Sequence, residues 1–283
     1  MYKILFTILT VACFASCATS YDIKGTSNIS SIDGRKLYLK IDKADTLLSI
    51  DSCDVIHGQF AFTGAMDTVR IAQIYMDDIN LQFPIVLEQG DITICLDNIQ
   101  QRVSGTPLNE QLNAFWTKFN QIRNQYAEID HEESAAILNG QDEDAVNARL
   151  IRKALGVYAK SDKLFTKYVV DNFDNILGPW IFLTRISYDS MPNAYPVWMD
   201  EIMYTNAINQ LPAWVEYIMS KATKHFKNNK QVKEFYSRFQ QAQKEMNGTA
   251  EPPVAADPNM GTAPNVAAPT PMEMAGDSTN TSK

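Results

Sequence analysis

The side chains in this chain best suited to chemistry are its four cysteines, Cys13, Cys17, Cys53 and Cys95. A thiol can be acylated, paired as a disulfide, or used as a thiolate nucleophile. No Cys-x-x-Cys occurs, so a dithiol redox site of the thioredoxin kind is excluded. The three histidines are scattered. His57 precedes a turn glycine and His225 lies in a basic stretch. His131 is followed by Glu132-Glu133, without the second His one helical turn on that a zinc-binding helix requires. Asp77-Asp78 and Asp142-Glu143-Asp144 are acidic runs without EF-hand spacing. Neither a Gly-x-Ser-x-Gly elbow nor a phosphate-cradling Gly-rich loop occurs. The motifs therefore imply no metal, no cofactor and no catalytic residue.

The first two cysteines sit at the end of an apolar run. Ile4 to Phe14 is interrupted only by Thr7 and Thr10, and Lys3 precedes it. Such a run is a signal-peptide h-region, too short to span a bilayer. Phe14-Ala15-Ser16-Cys17 resembles the lipobox of a bacterial lipoprotein, with Phe14 where Leu is usual and Ser16 where Gly or Ala is usual. The expectation is that residues 1–16 are removed and that Cys17 becomes an acylated N-terminus, with the lipid bilayer as partner. Cys13 is a competing acceptor that leaves a shorter apolar run. An ordinary signal peptide with an incidental cysteine is the alternative. Ala18-Thr19-Ser20-Tyr21 carries no acidic residue, which points to the periplasmic side of an outer membrane.

Charge and length narrow the function further. With 25 basic and 33 acidic residues, the formal net charge of −8 argues against wrapping nucleic acid. The 283 residues suffice for one large domain or two small ones. Beyond the leader no stretch is apolar enough to read as a membrane span.

Residues 17–105 alternate with period two. Leu37, Leu39 and Ile41 share one face, as do Phe60 and Phe62, then Phe83, Ile85 and Leu87, then Ile92, Ile94 and Leu96. Half-buried antiparallel strands produce this pattern. Turn residues separate the runs at Asp33-Gly34, His57-Gly58 and Gln89-Gly90-Asp91. About eight short strands follow, as a sandwich or a partly open barrel. Pro84 must lie on an edge strand or at a bulge, because it has no N–H for a ladder. Cys95 falls on the face opposite Ile92, Ile94 and Leu96. Cys53 and Cys95 are either a disulfide or two half-buried thiols.

Several stretches together resemble the small β-domain of unknown function that begins many lipoproteins of Bacteroidota-type bacteria. They are YDIKG from Tyr21, GRKLYL from Gly34, IDSCDVIHG from Ile50, QFAFTG from Gln59, FPIVLEQGDITI from Phe83 and VSGTPLN from Val103. The likeness extends to about residue 210 and is strongest before residue 120. In many such proteins a peroxiredoxin-type thioredoxin-like domain follows, with a Trp-Cys-x-x-Cys motif. Here no cysteine follows Cys95, so thiol–disulfide catalysis is not implied. The resemblance brings no agreed catalytic residues. Asp-Ser/Thr followed by an apolar residue or Thr resembles the O-glycosylation acceptor of the same bacteria. It occurs at Thr46, Thr68, Ser190 and Ser278, of which Thr46 and Ser278 are the better candidates.

Residues 106–247 read as helices packed on the β-domain, giving an α+β chain. Thr106-Pro107 is a helix start. Leu112, Phe115, Phe119, Ile122, Tyr126 and Ile129 form an apolar stripe, and Ile151, Leu155, Tyr158, Phe165 and Val169 a second. Residues 131–144 read as an acidic loop. Trp180–Leu183 reads as buried, and Trp198, Ile202 and Ile208 mark a further helix. Residues 221–244 carry seven basic side chains against Glu234 alone. That is a solvated face, or a surface for anionic headgroups. Residues 248–283 hold half of the twelve prolines and no aromatic residue, and read as a disordered tail. The functional expectation is a non-enzymatic envelope lipoprotein that binds or scaffolds an unknown envelope protein. The alternative is an accessory of a thiol–disulfide system that lacks its own catalytic domain.

Overall fold

The computed structural model describes residues 19–43, 46–76, 81–98, 100–190 and 196–248. The leader, Cys17, Asp77-Asp78 and the expected tail after Gly248 lie outside the described residues.

Among the described residues, eight strands form two four-stranded sheets that do not close into a barrel. They are β1 (Ser20–Ser27), β2 (Lys36–Lys43), β3 (Thr46–Asp54), β4 (Gln59–Ala65), β5 (Arg70–Met76), β6 (Leu81–Leu87), β7 (Gly90–Leu96) and β8 (Gln101–Ser104). The first sheet has the order β4-β1-β7-β8 and the second β3-β2-β5-β6. Period-two patterning expects antiparallel pairs, and β1 with β7 departs from this by running parallel. Alternation reports which face is buried, not the direction of the neighbour. The core is made from the inward faces of both sheets: Ile23, Leu37, Leu39, Phe62, Ile74, Ile85, Ile94 and Val103 are all buried.

Two glycines are needed for close approach. Tyr21 pairs with Gly64 and Gly25 with Phe60 across β1 and β4. A Cβ on Gly25 would lie 2.0 Å from the Phe60 ring, and one on Gly64 would lie 2.5 Å from the Tyr21 hydroxyl. Each strand thus lays an aromatic ring over the glycine of the other. At His57-Gly58 both residues have positive φ, 52° and 70°. Ile56 and Gln59 exchange backbone hydrogen bonds at 2.9 and 3.0 Å. This two-residue turn has the twist that tight hairpins require. It passes the chain from the second sheet to the first.

Six α-helices follow among the described residues: α1 (Pro107–Leu138), α2 (Glu143–Asp171), α3 (Leu177–Asp189), α4 (Asp200–Lys221), α5 (Lys224–Asn228) and α6 (Lys230–Met246). α1 lies along the free edges of β6 and β8. The Asn109 side chain acts there as a short strand. It accepts from Val86 N at 2.9 Å and donates to Val86 O at 2.7 Å. One turn later Asn113 accepts from Val103 N of β8 at 3.4 Å. Pro84 is on β6, an edge strand. It shares the edge-facing parity of Val86, so its missing N–H costs the ladder nothing. The N-terminus of α1 is capped from the β6–β7 turn. Glu88, buried, accepts from Leu108 N at 2.7 Å and Asn109 N at 3.1 Å. Thr106 holds the N-cap position, but its hydroxyl accepts from Asn109 Nδ2 instead of capping.

The helical stripes hold in part. Leu112, Phe115, Phe119, Tyr126 and Ile129 are buried. Residues 131–138 are not a loop but the last two turns of α1. The helix ends on a left-handed Gly140, with Gly140 N bonded to Ile137 O and Gln141 N to Ala136 O. On α2, Tyr158, Phe165 and Val169 of the expected stripe are buried together with Val146, Leu150, Ala154 and Val157, while Ile151 and Leu155 are half-buried. On α4, Met203, Ala207, Trp214 and Ile218 face inward, while Ile202 and Ile208 are exposed. Weighting bulk over the small Ala207 misplaced that face. Compact units comprise the residues to Phe235 and those from Tyr236 on. In the second unit, Tyr236 and Phe239 stack at 6.2 Å.

The joint at α1 makes graded predictions. Asn109→Ala leaves both Val86 backbone groups unpaired and is expected to destabilise by about 2–4 kcal/mol. Glu88→Gln keeps an acceptor but removes the charge at the helix end, with an expected cost of about 0.5–1 kcal/mol. Glu88→Ala should cost more than Glu88→Gln. Urea unfolding of the three variants checks the order.

Candidate functional site

Cys53 and Cys95 are free thiols in different sheets. Cys53 lies on β3 opposite Leu37. Burial pushes its thiol up, and Asp51 and Asp54 add to this, against a hydrogen bond with the Ala61 backbone. Cys95 lies on the outer face of the first sheet, in register with Thr26 and Arg102. Arg102 Nη2 donates to its Sγ at 3.9 Å. Thr46 is exposed at the start of β3 and donates to Lys43 O at 2.8 Å. Ser190 is exposed, but the Asp189 before it is buried. Cys17 and Ser278 lie outside the described residues. His57 is in the hairpin turn, His131 on α1 and His225 on α5. Among the described residues no three His, Cys, Asp or Glu side chains gather as a metal site.

The structure instead builds a groove that the sequence did not single out. A cavity of about 650 Å³ lies over the polar side of α1, lined by Gln100, Thr117, Asn120, Gln121 and Asn124 and by Val197. A second, of about 330 Å³, shares Gln100 and Asn120 and is lined by Gln82, Phe83, Pro84, Asn98, Gln101 and Trp116. Seven primary amides therefore line these two neighbouring cavities. Their charged groups are Asp97, Arg123 and the exposed Asp130. Asp97 accepts from Gln100 N at 2.6 Å, holding the β7–β8 loop, and Arg123 bonds Tyr188. No Ser, Cys or His is among the lining residues. Amides offer a donor and an acceptor each and carry no charge. Such a surface suits a neutral ligand rich in hydrogen-bonding groups. The signal in the sequence was Asn120, Gln121 and Asn124 on one helical face, unremarkable until β6 and β8 were brought beside it.

A buried ion cluster lies apart from this groove. Arg185 on α3 is 1% exposed. It reaches Asp162 Oδ1 at 2.6 Å, Asp189 Oδ2 at 3.2 Å and Tyr158 OH at 3.1 Å. Its guanidinium stacks 4.3 Å from the Trp214 ring. Burial pushes the Asp189 carboxyl up, against the pull of Arg185. Burial lowers Arg185, but Asp189, Tyr158 and Asp162 more than reverse it. These groups tie α2, α3 and α4 together, and one another's charges satisfy them. An Arg and an Asp one turn apart in an otherwise apolar helix was the only hint in the sequence.

Residues 21–112 match the family model of a domain of unknown function (DUF4369). The matched segment spans all of β2 to β8, nearly all of β1 and the start of α1. It takes in both reciprocal aromatic–glycine pairs and the Glu88–Asn109 joint. It ends before Trp116 and Asn120, so only the β6 side and the β7–β8 side of the groove belong to it. No curated protein and no solved structure matches the chain.

The ion cluster has a pH consequence. Burial, followed by the neighbouring phenols of Tyr188 and Tyr158 and by Asp189, raises Tyr126 well above the ordinary 10.0; burial and Asp189 raise Tyr158 against the pull of Arg185, and burial also raises Tyr188. The fold favours the protonated phenols. Stability is therefore kept below the unfolded tyrosine value and lost as pH rises past it. In an alkaline ultraviolet titration these three phenols should ionise only with unfolding, after the exposed tyrosines. Simultaneous reversible ionisation of all tyrosines would contradict this.

Proposed function

We propose that this chain is a lipid-anchored envelope protein that binds or scaffolds a partner through its amide-lined groove and catalyses no reaction. The observation that carries the reading is the groove itself, open and lined mainly by primary amides, with no Ser, Cys or His among its lining residues. The anchor is the acylated Cys17, supported by the apolar run that ends in Phe14-Ala15-Ser16-Cys17. A diacylglyceryl thioether with an N-acyl chain meets the two-signal need for stable membrane residence. Among the described residues no helix is long and apolar enough to cross a membrane. The proposed location is the periplasmic face of the outer membrane, and the relatives are the lipoproteins whose first domain often precedes a thioredoxin-like one.

The rival, an accessory of a thiol–disulfide system, draws on Cys95, whose Sγ lies beside Arg102 on the outer face of its sheet. The raised Cys53 thiol does not support it.

Three measurements test these readings. Cys17→Ser should move the protein from the membrane to the soluble fraction and remove lipid mass from its N-terminus; unchanged fractionation would sink the anchor. Asn120→Ala with Asn124→Ala should abolish a crosslinked partner recovered with the wild-type chain and leave thermal unfolding within a few degrees; undiminished recovery would exclude the groove. Iodoacetamide should alkylate native Cys53 more slowly than free cysteine at mildly alkaline pH, and Cys95 no faster. Rapid modification of Cys95 would favour the rival.

A further inference from the structure

The two pairs of sheet edges differ. α1 covers β6 and β8, but β3 and β4 diverge from the His57-Gly58 turn and leave an open cleft of about 440 Å³. Tyr21, Ile41, Met66 and Leu87 line it together with the charged Asp51, Asp67 and Arg70. The described chain enters at this end. Thr19 O accepts from Met66 N at 2.8 Å, and the Thr19 hydroxyl donates to Met66 O at 2.7 Å.

The same end carries apolar side chains that no core explains. Leu47 and Leu48, on the β2–β3 hairpin, are 42% and 43% exposed, and Val69, before β5, is 44% exposed. Leu47 pairs with Asp42 and Leu48 with Ile41, so they leave opposite faces of β3, yet both stay uncovered. Ile41 lies opposite Ala72, which brings the start of β5, and so Val69, beside this hairpin. Ile50 sits at the irregularity opposite Leu39 and Lys40 and is also exposed.

We infer that this end of the sandwich lies against a lipid surface, with Leu47, Leu48 and Val69 entering the interfacial layer. The inference rests on the proposed anchor at Cys17. Cys17 is two residues from Thr19, a chain reach of at most about 7 Å. Lipid on Cys17 therefore holds this end, and no other, within the thickness of the headgroup region. Glu88 places the start of α1 at this end, and the helix runs past Val86, Phe83 and Gln82 toward the other. The groove is thus carried away from the bilayer. Ile56, Ile137 and Leu138 are exposed as well, but they lie at the opposite end of the sandwich and at the far end of α1.

The test uses the full chain recovered from membranes and reconstituted in phosphatidylethanolamine–phosphatidylglycerol vesicles that contain a diazirine-bearing phospholipid. After irradiation, adducts are mapped by mass spectrometry. The segment between Lys43 and Arg70 has no internal Lys or Arg and can be released intact by trypsin. Adducts should concentrate there, at Leu47, Leu48 and Val69, about tenfold above residues 117–130 of α1. Leu47→Ser with Leu48→Ser should lower that yield severalfold while the protein stays anchored. Adducts spread evenly, or concentrated at Ile137 and Leu138, on an anchored protein would overturn this inference and leave the anchor standing. A protein with no lipid mass on Cys17 that washes off the vesicles would overturn both.

Discussion

A sheet edge is a row of donors and acceptors that must be paired, covered or solvated. This chain closes two of its edges with one helix. Asn109 reproduces a strand's hydrogen bonds on Val86, and Asn113 reaches Val103 of the other sheet. Because the two asparagines are one turn apart, the helix face that carries them fixes the separation of the sheets along that side. Glu88 completes the constraint by binding the orphan N–H groups at the helix start, where a carboxylate is also favoured by the helix dipole. Helix direction, helix start and sheet spacing are then set by three side chains, and the amide groove is a by-product of how α1 must run.

Some of this could be read in the sequence, and the divide follows the range of the interactions. The strand runs, the edge position of Pro84, the His57-Gly58 turn and the Thr106-Pro107 helix start depend on neighbours in sequence. Even the glycine motifs were visible: YDIKG and FAFTG each place an aromatic four residues before a glycine. What could not be read is that each aromatic covers the other strand's glycine, because that requires the register of β1 on β4. The Glu88 cap was hidden for the same reason. Thr106 is the residue that local rules nominate, yet its hydroxyl is taken by Asn109. A carboxylate some twenty positions upstream does the capping.

The helical region shows a second limit. Amphipathic spacing locates the helices but favours bulky residues: Ile202 and Ile208 mark a helix yet are exposed, while the buried Ala154 and Ala207 give no signal. Small residues mark where helices approach closely, and they carry little weight in an apolar stripe. Arg185 is the extreme case. A charge at the centre of a packed bundle is tolerable only when every donor finds an acceptor, and those acceptors come from α2 as well as from its own helix. Its neighbours, not its type, decide that it is buried.

The parallel pairing of β1 with β7 has a consequence for the order of assembly. Tyr21 lies opposite Gly90, so the strand that leaves the synthesis machinery first is central in its sheet and acquires its second neighbour only about 70 residues later. The sheet cannot be built from the N-terminus outward. Contacts of this sequence separation have a high loop-closure cost before they return any stability. Folding of the β-domain is therefore delayed until most of its length is available at once. Until β7 is available, β1 can pair with β4 alone, and one edge of the central strand stays open.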